Sequence, residues 1–247
     1  VEGSGGPDLF GYEWIDSDEP DGPTYEWNDI SATGTEATSW TATGSFNSRD
    51  EGYAGPFSLG FSFKFYGEEK TEVYVSSNGF LTFDVLTSNS FTNSSIPDSD
   101  DPNNMIAPIW DDLDGKTTGK VYYQQDGNRF IVQYEEWPRY SGGGTYTYQA
   151  VLYSTGKVMY YYKNLSGSTT SATVGIENGD GTDGLQMTHN SGYLTNELAV
   201  KISADPDWLT SDHMSGRIYN GNMAMLEMTF RSEDYPVGVY TMDLVVS

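Results

Sequence analysis

Between Pro56 and Phe83 the chain alternates apolar and polar residues with a period of two. The two halves read Pro56-Phe-Ser-Leu-Gly-Phe-Ser-Phe-Lys-Phe-Tyr-Gly67 and Val73-Tyr-Val-Ser-Ser-Asn-Gly-Phe-Leu-Thr-Phe83. Successive side chains of a strand point to opposite faces, so this spacing requires strands with one face toward a core. The Asn78-Gly79 pair is a tight-turn signal, because both residue types tolerate the positive φ of a two-residue hairpin loop. Farther on, Ile106-Ala-Pro-Ile-Trp-Asp-Asp-Leu-Asp114 is an apolar strand that ends in three carboxylates.

The pattern recurs along the chain. Residues 120–125 and 129–137 flank Asp126-Gly-Asn128, and residues 145–153 and 157–162 flank Ser154-Thr-Gly156, which are two hairpin signals. Residues 10–15 and 172–176 read as further strands, residues 25–30 alternate again, and short strands are expected around 38–42 and 44–46. No segment holds a 3.6-residue period for three turns, which excludes a helix-rich fold. Closely spaced strands joined by short turns predict an all-β fold, an antiparallel β-sandwich. Aromatics at 15%, with 28 glycines and ten prolines, suit pleated surfaces and many turns. Three segments are expected: an extended N-terminal piece over 1–12, the sandwich over 13–203, and a tail over 204–247. At about 44 residues the tail is too short for an immunoglobulin-like sandwich of ~100.

A formal charge of −24 repels phosphate backbones and anionic lipid surfaces, so neither nucleic-acid binding nor membrane insertion is expected. With no cysteine, disulfides, thiolate catalysis and cysteine-ligated metals are all excluded. No apolar run approaches the ~20 residues that span a bilayer. The chain starts at Val1, so it is expected to be a processed product or an excerpt.

Leu59-Gly-Phe-Ser-Phe-Lys-Phe-Tyr-Gly67, Val75-Ser-Ser-Asn-Gly-Phe-Leu-Thr-Phe83, the 106–114 stretch and Tyr148-Gln-Ala-Val-Leu-Tyr153 resemble a nidogen-like β-sandwich domain, over roughly residues 55–190. Versions of that domain recur in prokaryotic cell-surface proteins. The resemblance implies an extracellular, jelly-roll-like sandwich with matrix or adhesion work and no catalytic centre. The tail is similar to the second half of bacterial immunoglobulin-like surface modules, with Trp208-Leu209, Ser215-Gly216, Thr229-Phe230 and Gly238-Val-Tyr240 in the corresponding places. A partial module leaves an open sheet edge, and open edges tend to be filled by another chain. Partners are therefore expected to be other copies of the chain, assembling by strand complementation into a filament, or surface and matrix proteins. The alternative is a carbohydrate- or protein-binding module of a larger secreted enzyme.

Acidic loops are the candidate metal sites. Calcium takes six to eight oxygens, and Asp16, Asp18 and Asp21 in one loop and Asp111, Asp112 and Asp114 after the 106–110 strand are the leading ligands. Asp98, Asp100, Asp101 and Asn103 form a further acidic loop, and Asp180 and Asp183 another. Calcium is the one cofactor expected. Glycoside hydrolysis needs two carboxyls facing across a cleft, and the adjacent Asp111 and Asp112 point to opposite faces of a strand. His189 and His213 have no nucleophile at useful spacing, so no hydrolytic triad is expected. The aromatic clusters at Trp137-Pro-Arg-Tyr140 and Tyr160-Tyr-Tyr162 could stack on a glycan, but core packing accounts for them more simply.

Overall fold

A computed structural model describes residues 3–88, 90–204, 209–211 and 228–230. The chain divides into two compact units, Val1–Ala204 and Asp205–Ser247. In chain order the first unit has β1 (Ser4–Gly5), β2 (Glu13–Asp16), β3 (Thr35–Glu36), β4 (Trp40–Ala42), β5 (Gly52–Phe65), β6 (Glu68–Ser76), β7 (Leu81–Thr82) and β8 (Met105–Trp110). It continues with β9 (Lys120–Asp126), β10 (Arg129–Pro138), β11 (Thr145–Tyr153), β12 (Val158–Leu165), β13 (Thr173–Glu177), β14 (Gly184–His189) and β15 (Leu198–Ser203).

These strands form two antiparallel sheets, the all-β sandwich that the alternation predicts. One has the order β1-β2-β15-β12-β11-β10-β9-β3, the other β14-β13-β8-β7-β6-β5-β4. The Asn78-Gly79 signal becomes the β6–β7 turn, with Ser76 N–H donating to the Phe80 carbonyl at 2.8 Å. Gly79 has φ +85°, and a Cβ there would lie 2.2 Å from the Ile109 carbonyl oxygen. Only glycine fits so close to that backbone.

The inter-sheet core is built largely of rings. Phe63 and Phe65 of β5 share one buried cluster with Tyr134, Tyr148, Tyr160 and Tyr162 of the other sheet, all at most 1% exposed. Three of these tyrosine hydroxyls tie one sheet to the backbone of the other, whereas the Tyr148 hydroxyl is buried without a hydrogen-bond partner. Tyr134 donates to the Ser76 carbonyl at 2.6 Å, Tyr160 to Gly175 at 2.9 Å and Tyr162 to Pro108 at 2.6 Å. Each such buried bond contributes about 1 kcal/mol, and leaving the hydroxyl without a partner would cost more. In β10 the register shifts between Tyr134 and Trp137. This bulge puts both rings on the core side, 5.8 Å apart, although strict alternation would send them to opposite faces.

Both sheets are also covered on their outer faces. Residues 17–34 cross the eight-stranded sheet without joining its ladder, laying Tyr25, Trp27 and Ile30 over Ile131, Val151, Met159 and Tyr161. The alternation at 25–30 therefore makes a strap and not a strand. Two buried glutamines hold it: Gln133 Oε1 accepts from Ile30 N–H at 3.1 Å, and Gln149 Nε2 donates to the Asn28 carbonyl at 2.6 Å. On the other sheet, the 83–104 connection packs Leu86 and Ile96 over Phe80, Met105, Ala107 and Trp110. That cover explains why every residue of β8 is buried.

Residues 44–46, expected as a short strand, lie in a turn instead. The N-terminal residues are paired within the unit, Ser4 opposite Ile15 and Gly5 opposite Trp14. In the second unit, β16 (Leu209–Ser211) and β17 (Met228–Phe230) pair antiparallel. The remaining positions of the expected immunoglobulin-like half-module, including Trp208, Ser215-Gly216 and Gly238-Val-Tyr240, lie outside the described residues. Among the described residues no helix is long and apolar enough to cross a membrane.

Candidate functional site

The sandwich gathers polar side chains at two poles, set by the direction of β8. Where β8 ends, the β6–β7 turn, the start of β5 and the 111–116 segment meet. Asn78, fully buried, is the centre of this pole: its Nδ2 donates to Glu51 Oε2 at 3.0 Å and to Ser90 Oγ at 3.3 Å. Its Oδ1 accepts the Leu113 N–H at 3.0 Å. Glu51 is 2% exposed and also accepts the Ser90 N–H at 3.2 Å. Burial raises its pKa to about 7, against the pull of those hydrogen bonds and with help from the charges of Asp112 and Asp50.

The three carboxylates that end the apolar strand go separate ways here. Asp111 is buried, with Oδ2 accepting from Ser171 Oγ at 2.8 Å and facing Arg139 Nη2 at 3.5 Å. Asp114 accepts the Lys116 N–H at 2.9 Å, and the Lys116 ammonium bridges Asp114 at 2.9 Å and Asp50 at 3.0 Å. Asp112 is half-buried, and burial followed by repulsion from Asp50, Asp111 and Asp114 raises its pKa to about 6. Arg49 lies 5.0 Å over the Trp137 ring and donates to the Gly119 carbonyl at 2.6 Å. Trp137 Nε1 in turn donates to the Ser77 carbonyl at 2.8 Å. Asp50 Oδ1, Arg49 Nε and Arg139 Nε are buried here without a hydrogen-bond partner.

The other metal candidates lie elsewhere. Asp16 is 1% exposed and accepts the Asp18 N–H at 2.9 Å and the Tyr193 hydroxyl, which ties β2 to the connection before β15. Asp18 and Asp21 are exposed. The structure therefore keeps Asp16, Asp18 and Asp21 together in one loop, and Asp111, Asp112 and Asp114 in another. Among the described residues, no three His, Asp or Glu side chains form a group that could hold a metal ion. The aromatic clusters sort as the core reading expects: Trp137, Tyr160 and Tyr162 are fully buried, Tyr161 is 8% exposed, and Tyr140 is exposed. His189 is half-buried against Thr173, its Nδ1 2.8 Å from the hydroxyl. His213 lies outside the described residues.

Where β8 begins, the opposite pole holds an open cavity of about 450 Å³. The β5–β6 turn, with positive φ at Tyr66 (+47°) and Gly67 (+80°), supplies Tyr66 and Glu68, and the strand below them supplies Lys70. Asp84 and Asn104 come from the two ends of the 83–104 connection, Asn178 and Asp180 from the β13–β14 turn. Asn104, buried with φ +53°, donates its amide to Asp84 Oδ2 at 2.9 Å and its N–H to the Asn178 carbonyl at 2.9 Å. Asp180 Oδ1 accepts the Thr182 hydroxyl at 2.6 Å, and that bonding lowers its pKa. Beside the cavity, buried Glu177 accepts the Asp98 N–H at 2.5 Å, and burial raises its pKa to about 8. Of these cavity residues, the sequence marked Asp180 as a candidate ligand and Tyr66 only as part of an alternating strand. The available signal was Asn103-Asn104 immediately before an apolar strand, since asparagine tolerates the left-handed backbone.

A family model described as NIDO related matches residues 24–213. Mouse and human alpha-tectorin are each 29% identical over 194 residues, a match that covers 64% of this chain and 9% of those proteins. Chicken alpha-tectorin is 27% identical over the same length. The chain thus spans 9% of the length of these curated relatives. No solved structure matches significantly.

Proposed function

The chain belongs to the NIDO-related family, and from that premise we propose that it is a non-enzymatic, extracellular structural and adhesive domain. One observation carries the non-enzymatic part. Of the carboxylates gathered at the end of β8, Asp111 is taken up by Ser171 and Arg139, Asp114 by Lys116 and Glu51 by Asn78 and Ser90, which leaves Asp112 as a single half-buried candidate acid. A paired acid and base needs two carboxyls across a cleft, one of them with a raised pKa; in the cavity at the other pole, hydrogen bonds from Lys70 and Thr182 lower Glu68 and Asp180 instead. The likeness to alpha-tectorin and the nidogen-like motifs support work outside the cell.

The partners in this reading are further copies of the chain or surface and matrix proteins. The β4 edge of the seven-stranded sheet is a suitable docking edge, because Thr41 and Ala42 are exposed. Donation of residues 1–12 to a neighbour would first have to open the β1–β2 pairing. Analytical ultracentrifugation over a wide concentration range tests self-association. The reading expects oligomers that grow with concentration and shrink when residues 1–12 are removed. A monomer throughout, unable to bind matrix extracts, would refute it. Turnover of a glycan substrate, lost on Asp112→Asn, would overturn the non-enzymatic part.

The accessory-module alternative draws support from the domain-sized share of each relative that the chain spans. Calcium stays within the reading as a weak ligand of the β8-end pole. Asp50 Oδ1 lacks a partner there, and Asp112 is repelled by three neighbouring carboxylates.

A further inference from the structure

The cavity at the start of β8 offers a ligand both kinds of hydrogen-bonding group. Glu68, Asp84 and Asp180 each have one oxygen engaged, by Lys70 at 2.6 Å, Asn104 at 2.9 Å and Thr182 at 2.6 Å. The second oxygen of each is left to accept from a ligand. Donors stand among them: the Lys70 ammonium, 5.8 Å over the Phe83 ring, and the second amide hydrogen of Asn104. With three carboxylates against one ammonium, an anionic ligand is repelled. A purely cationic ligand is drawn to the carboxylates but offers no acceptor to the Lys70 ammonium or the Asn104 amide. An apolar ligand would strip water from every one of these groups without replacing it. What satisfies alternating donors and acceptors is a polyol, whose hydroxyls both donate and accept.

An aromatic lip adjoins the cavity. Phe10 is 47% exposed and packs on Tyr66 with centroids 5.4 Å apart, reaching over side-chain-free Gly67. The lip is anchored: Tyr66 donates its hydroxyl to Asp8 Oδ2 at 2.8 Å, and Leu9 N–H donates to Asp183 Oδ1 at 3.0 Å. Ring faces are electron-rich, so the C–H-bearing face of a sugar packs well on them. The volume, about 450 Å³, lies inside the range of small-ligand sites, roughly 300–1,000 Å³.

We propose that this cavity binds a neutral saccharide, with Asp84, Asp180 and Lys70 reading the hydroxyls and Phe10 forming the stacking lip. The proposal goes beyond the structural reading and does not depend on it, since a scaffold without a glycan site would still self-associate. The test is isothermal titration calorimetry of the full chain with a panel of neutral mono- and disaccharides, including hexoses and N-acetylhexosamines. At least one is expected to bind, with affinity unchanged between low and high salt. Asp84→Asn, which keeps an acceptor for the Asn104 amide, and, independently, Phe10→Ala should each weaken binding tenfold or more while the melting temperature stays within a degree or two of wild type. Both side chains are exposed, so folding is preserved and loss of binding reports on the site. Absence of binding across the panel overturns the proposal, as does binding that survives both substitutions. A lysine-rich peptide that binds instead, with affinity collapsing in salt, would also overturn it, by assigning the cavity to a cation.

Discussion

At the pole where β8 ends, Glu51, Asp111 and Asn78 are at most 4% exposed and bonded to one another's neighbours, and Trp137 lies buried beneath Arg49. At the pole where β8 begins, Glu68, Asp84 and Asp180 are exposed around an open cavity, each with spare hydrogen-bonding capacity. Both poles use carboxylates, amides and a lysine. The difference is burial. A buried polar group must have its partners supplied by the protein, which makes the first pole a fastening. An exposed one can exchange water for a ligand, which leaves the second pole free to bind.

The contrast can be broken by mutation. Trp137→Ala at the fastening pole should cost the most, about 4 kcal/mol in urea unfolding, because it empties a core site and removes the bond to Ser77. A loss below about 1 kcal/mol, a merely surface-like effect, would dissolve the distinction between the poles. Asn78→Ala should follow at about 2–3 kcal/mol, since the buried Leu113 N–H and Glu51 carboxylate lose a partner together. If Asn78→Asp proved as stable as wild type at pH 7, the amide would not be needed and the network would be misread.

The pH dependence sharpens the comparison because both poles hold raised carboxyls, Glu51 and Asp112 where β8 ends and Glu177 beside the cavity. Burial raises Glu51 to about 7 and Glu177 to about 8. In the interval between the unfolded and folded values, the folded chain binds more protons than the unfolded one, so stability falls as pH rises. Unfolding measured across pH 5 to 9 should therefore show declining stability. The net charge of −24 pushes the same way, so the variants carry the test. Glu51→Gln should flatten the decline up to about pH 7, and Glu177→Gln the part that extends toward 8. Equal slopes in wild type and both variants would show that neither glutamate is responsible for the decline.

Smaller effects remain. Calcium at a concentration equal to its dissociation constant adds about 0.4 kcal/mol. A rise in melting temperature that Asp112→Asn abolishes would place the ion at the fastening pole, and no rise with millimolar calcium would remove calcium from the reading. Asp84→Asn at the open pole should change stability by no more than about 0.5 kcal/mol.

Much of the architecture was legible. The hairpins around Gly127 and Gly156 and the Asn78-Gly79 turn lie where turn chemistry placed them, because each depends on a few adjacent residues. The strap at 25–30 was not legible as a strap, since its alternating pattern is the same whether its backbone pairs with a strand or with glutamine side chains. Of the candidate site, Asp111, Asp112 and Asp114 were visible as residue types, but Ser171, Arg139 and Lys116 as their partners were not. Glu51 and Asn78 were missed as a pair because 27 positions separate them and neither breaks a local pattern.

Sequence alone determined what adjacent residues control: the period of two, the turns, the all-β class, and an acidic, cysteine-free composition. Only the tertiary structure decided which carboxylates are shut in and which face solvent. It also decided that a bulge after Tyr134 turns Trp137 inward, and that Asp84, Asn104 and Asp180 share one cavity. The physical reason is that burial and hydrogen-bond partnership depend on residues far apart in the chain, which local pattern cannot register.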